Sequence, residues 1–128
     1  MPGLRRQYHF RPSRNGYFAW DVSRLIDLSA ELPVFQLSLD KIAELDELWW
    51  FQGEDDRPTP RAIGNHVRLM VQADTDFPVI VCPQGRVMDG MHRILKALTS
   101  GGDSVKAVQL PQMPDPDYTD VQPSDLPV

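Results

Sequence analysis

The chain has 128 residues, 18 acids against 13 bases, a net charge of -5, 41% apolar residues and a single cysteine, Cys82. This length fits one ordinary domain and excludes a multidomain enzyme, while 41% apolar content with three Trp and five Phe suffices for a core that folds without disulfides. No stretch approaches the roughly 20 apolar residues of a membrane span, and the N-terminus lacks the apolar segment of a signal peptide, so a soluble, cytoplasmic protein is expected.

Residues 1–24 form a basic arm within an acidic chain. Arg5, Arg6, Arg11, Arg14 and Arg24 face the single acid Asp21 and alternate with Tyr8, Phe10, Tyr17, Phe18 and Trp20. Arginines interleaved with aromatics can hold a nucleic-acid strand by phosphate contact and stacking. In a chain of this acidity the stronger expectation is docking onto Asp103, Asp115, Asp117, Asp120 and Asp125.

After the arm, Asp21 can cap a helix reaching about Ala30, with Val22, Leu25, Ile26 and Ser29 on one face. Val34 to Leu39 alternates like a strand with one buried face. Asp40 then stands where a helix N-cap belongs, and Ile42, Leu45, Leu48 and Trp49 predict a short helix running into Trp50 and Phe51. The acidic loop Gln52 to Pro58 follows. Thr59-Pro60 is a helix start, and Ile63, Val67, Met70 and Val71 predict an inward face on a helix ending near Ala73.

Val79 to Cys82 is a continuous apolar run too short for a helix, closed by Pro83-Gln84-Gly85, and reads as a buried strand followed by a turn. Arg86 to Met88 should return as its partner. Asp89-Gly90 leads straight into a helix whose core face is Met91, Ile94, Leu95 and Leu98 and which Gly101-Gly102 stops. Val105 to Leu110 is the last strand. The proline-rich residues from Pro111 to Val128 read as an extended strap rather than a folded element.

The candidate chemistry lies in Asp89-Gly90-Met91-His92-Arg93. A glycine turn opening a helix presents amides without intrahelical partners and can hold an anion. His92 and Arg93 stand in the first turn, where cations oppose the helix dipole unless an anion is bound. Arg93 could fork two phosphate oxygens, His92 and Lys96 could add donors, and Asp89 could cap the helix or help hold magnesium. His9, His66 and His92 are too scattered to propose a metal site, and His66 reads as a helix-surface residue.

This motif, set between a β-hairpin and an apolar helix that ends in glycine and a strand, resembles the ParB/sulfiredoxin superfamily over about Val34 to Leu110. The resemblance implies an α+β single domain: a small mixed sheet of about four strands packed with three to four helices. It divides the chain into an arm with one helix over 1–33, a core over 34–110 and an irregular proline-rich acidic tail over 111–128. It also implies a bound nucleoside triphosphate, ATP or CTP with Mg2+, clasped by Gly90, Met91, His92, Arg93 and Lys96. The whole chain is similar to small bacterial ParB-like proteins without an assigned activity.

Met91 stands where sulfiredoxins have their reactive cysteine, and a thioether cannot act as a thiolate, so that repair chemistry is not expected. A small-molecule kinase or nucleotide hydrolase, the other activities the resemblance suggests, needs a carboxylate base, for which Glu54 and Asp89 are the candidates. Asp55 and Asp56 share the loop with Glu54, a segment that reads more readily as a solvated acidic loop than as the home of a base. Trp49, Trp50 and Phe51 could stack on a base or pack as core and lid. The alternative function is a non-catalytic DNA- or protein-binding module related to partitioning proteins.

Overall fold

A computed structural model of the chain describes residues 7–127. It is a mixed α+β domain with two small sheets and three α-helices. Strands β1 (Tyr8–Ser13), β2 (Gly16–Asp21) and β7 (Tyr118–Val121) form one antiparallel sheet in the order β1-β2-β7. The other sheet runs β3 (Phe35–Ser38), β6 (Ser104–Gln109), β4 (Val79–Val81) and β5 (Val87–Asp89), with β4 and β6 parallel and the remaining pairs antiparallel. Helices α1 (Val22–Ser29), α2 (Pro60–Gln72) and α3 (Met91–Thr99) complete the domain.

The apolar run at β4 follows from burial on both faces of the four-stranded sheet, where successive side chains point to opposite sides. Val79 and Val81 join Val87, Met91, Ile94, Val105 and Ala107 in one cluster, under α3. Ile80 and Cys82 join Trp20, Leu25, Met88, Val108 and Leu110 in the other, which receives α1 and the first sheet. Cys82 is a buried core residue, as its apolar surroundings suggest.

Asp21 accepts the Ser23 amide at 2.9 Å and caps α1 as expected, although Ile26 faces solvent. Thr59 caps α2 by accepting the Ala62 amide at 3.1 Å, with Pro60 at its first position. Gly101 adopts φ 80° after α3, and Gly101 and Gly102 donate back to the Leu98 and Ala97 carbonyls.

Three expectations need correction. The segment after Asp40 is not one helix but two 3-10 turns, Leu39–Lys41 and Ala43–Asp46. The second turn carries Glu44 into the core, where its carboxylate accepts the Val87 amide, an anchor that a continuous helix would not place. The tail is not an irregular strap. β7 pairs with β2, and the Trp20 indole donates to the Pro114 carbonyl at 2.9 Å.

The arm docks on this tail: Arg24 reaches the Asp117 carboxylate at 3.3 Å and the Asp115 carbonyl at 2.7 Å, and Ser13 donates to Asp120 at 2.7 Å. Arg5 and Arg6 lie outside the described residues.

The third correction concerns α2. None of its residues is fully buried, and Ile63, Val67 and Val71 are 45 to 62% exposed. The row turned inward is Ala62, His66 and Met70. Leu98, assigned to the core face of α3, is also exposed.

Candidate functional site

The turn between β5 and α3 requires glycine. Gly90 has φ 112°, and a Cβ there would lie 3.0 Å from Val79 Cγ2 and 3.3 Å from both Val79 Cα and Arg93 Cζ. No side chain caps α3, so the Met91, His92 and Arg93 amides open the helix without a capping acceptor.

Asp89 does not cap because its carboxylate accepts from Arg93 Nη2 at 2.7 Å. Arg93 Nη1 also donates to the Pro78 carbonyl at 2.7 Å and the Phe77 carbonyl at 3.2 Å. The guanidinium therefore ties the start of α3 to the ends of β5 and of the segment entering β4. A guanidinium carries five N–H bonds. Three are engaged here, which leaves Nε and one hydrogen of Nη2 for any further acceptor.

Lys96 stands apart from this turn: Nζ donates to the Ala73 carbonyl at 2.6 Å and the Val71 carbonyl at 3.0 Å, closing the C-terminal end of α2. Met91 is 6% exposed and belongs to the core, so only its amide faces the turn.

His92 meets a residue that its sequence position does not suggest. Its Nε2 lies 2.9 Å from Nδ1 of His66, and the two ring centroids are 5.2 Å apart with the planes inclined by 21°, so the imidazoles meet edge to edge. Trp50 lies flat over both, with centroids 4.0 Å from His66 and 4.6 Å from His92, and Phe51 meets His66 edge-on. Burial is the main cause that lowers the His92 pKa, to about 4, with the neighbouring His66 next and Arg93 behind it, against the opposing pull of Asp89. His66 is also lowered, by burial, with Asp56 pulling the other way.

Beside this triad opens a cleft of about 340 Å³ lined by Trp50, Phe51, Glu54, Asp55, Asp56, Arg57 and His66, with Thr59 and Ala62 at the start of α2. Glu54 is exposed in its wall. Among the described residues, no group of three or more His, Cys, Asp or Glu is arranged to hold a metal ion. Trp49 does not share the triad: it stacks on His9 at 6.0 Å and packs against the core.

His66 is the site residue that sequence reasoning missed. Its signal was the row Ala62, His66, Met70 at four-residue spacing, overshadowed by the more apolar row beside it.

A stretch of 45 residues, 34% of this chain, is 42% identical to the transcriptional regulator NovG of Streptomyces niveus and spans 14% of that regulator's length. No family model matches the chain, and no solved structure matches it.

Proposed function

We propose that the chain binds the phosphates of a nucleotide, ATP or CTP with Mg2+, at the N-terminus of α3, and that it acts as a binding module rather than a phosphotransferase. One observation carries this reading: α3 opens uncapped from Gly90 in a left-handed conformation, with a cationic side chain folded across the turn. The Met91, His92 and Arg93 amides would take phosphate oxygens, and the two free N–H groups of Arg93 would supply charge.

The ParB/sulfiredoxin resemblance of Asp89 to Arg93 supports the same ligand class. Phosphoryl transfer needs a base at the phosphates, but Asp89 is held in an ion pair and the cleft whose wall carries Glu54 is lined by none of residues 89–93. The bound nucleotide would bring the metal on its phosphates, and Asp89 is the carboxylate beside the turn.

The test is a thermal-shift series with ATP, CTP, GTP and their diphosphates in Mg2+, run beside His92→Glu. That variant places a carboxylate in the first turn of α3, where it suits the helix dipole but repels phosphate. A saturable rise in Tm with one nucleotide, lost in His92→Glu, is expected. Equal shifts in both proteins would overturn the reading.

The likeness to a transcriptional regulator favours a second reading, a non-catalytic module that binds DNA or a protein partner. Salt-sensitive fluorescence polarisation of labelled duplex DNA, unchanged by nucleotide, is its signature.

A further inference from the structure

Among the described residues, side-chain hydrogen bonds tie helix α2 to α3 at two places. At its C-terminal end Lys96 bonds the Val71 and Ala73 carbonyls, and Thr99 meets Met70. At its N-terminal half the attachment is the His66–His92 hydrogen bond under Trp50. No residue of α2 is fully buried, so burial alone does not fix the helix.

An imidazole pair at 2.9 Å needs one N–H and one lone pair at the shared contact. With both rings neutral or one protonated, the bond can form. With both protonated, two N–H groups and two positive charges face each other, and the contact becomes repulsive.

We propose that the His66–His92 pair is a proton-operated latch: the second proton releases the N-terminal half of α2 together with Trp50, and the helix pivots about the end that Lys96 holds. Opening frees the His92 ring and widens the cleft between Trp50 and α2.

The charged groups around the pair are Asp56 from the loop before α2, which favours a proton on His66, and Asp89 of β5 and Arg93 of α3, which act in opposite senses on His92. Asp89 and Arg93 are bonded to each other, so their effects on His92 largely offset. Burial and the neighbouring imidazole therefore set the threshold. His92 titrates at about 4, so the latch is closed at neutral pH and opens as pH falls toward that value.

Hydrogen exchange on the intact chain tests this, with rates corrected for the intrinsic effect of pH. Between pH 7 and pH 4, protection of the Gly64 to Val67 amides should fall by about tenfold or more relative to the Val79 to Val81 amides. His92→Gln and His66→Gln each leave a single imidazole, so the repulsion between two protonated rings is lost and the pH response of α2 should shrink to the smaller part that burial of one ring supplies. Constant relative protection in the natural protein overturns the latch, and so does a pH response of undiminished size in either variant.

Discussion

His9 shows how burial turns a titratable side chain into a determinant of stability. It is 7% exposed, accepts from Arg11 Nε at 2.9 Å and stacks near Trp20 and Trp49. Burial, aided by the Arg11 charge, lowers its pKa to about 3. The unfolded chain therefore takes up a proton at about 6.5 that the folded chain refuses until about 3, and stability falls as pH drops across that window. The contribution is about 3–5 kcal/mol from the size of the shift. His9→Gln keeps an acceptor for Arg11 without a titrating ring, so urea unfolding should show a flatter acid limb between pH 6.5 and 3. Gly90 is the other residue of consequence. Gly90→Ala combines a positive φ with contact on Val79, and a loss of about 1–3 kcal/mol is expected in the same measurement.

At the scale of elements, most of the chain was legible where one force dominated. The Asp21 cap of α1, the Thr59-Pro60 start of α2, the doubly buried β4 and the glycine stop of α3 are local signals, and each appears as read. The reading failed where tertiary contacts chose between local alternatives. Helical spacing after Asp40 lost to the burial of Glu44 on the Val87 amide, and the apolar row of α2 faces solvent because His66 and Met70 meet α3. Lys96 shows the same limit. Its charge and position suggested a phosphate ligand, yet it closes the end of α2. Lys96→Met removes both bonds and should cost about 1–2 kcal/mol by chemical denaturation, with early loss of protection near Val71. The Gly90 turn could be read from sequence, but the Trp50–His66–His92 triad could not, because its members come from three separate segments.

For the whole molecule, the two ends of the chain form one structural unit. Sequence composition separates the basic arm from the acidic tail, but β2 pairs with β1 on one side and β7 on the other, and opposite charges join them at Arg24 and Asp117. This sheet covers the face of the core that holds Trp20, Ile80 and Cys82. Truncation after Gln112 removes β7, the Trp20 bond to Pro114 and the buried Leu126, so a loss of at least about 2 kcal/mol in urea unfolding is expected.

The central claim concerns the opposite side, where α3 begins. The most direct test is amide NMR of the full chain titrated with Mg2+ and the nucleotide that gives the largest thermal shift. Saturable perturbations centred on Gly90, Met91, His92 and Arg93 are predicted, because their amides would take the phosphates. Saturable perturbations elsewhere that leave those four amides unmoved, or none at all, would contradict the account.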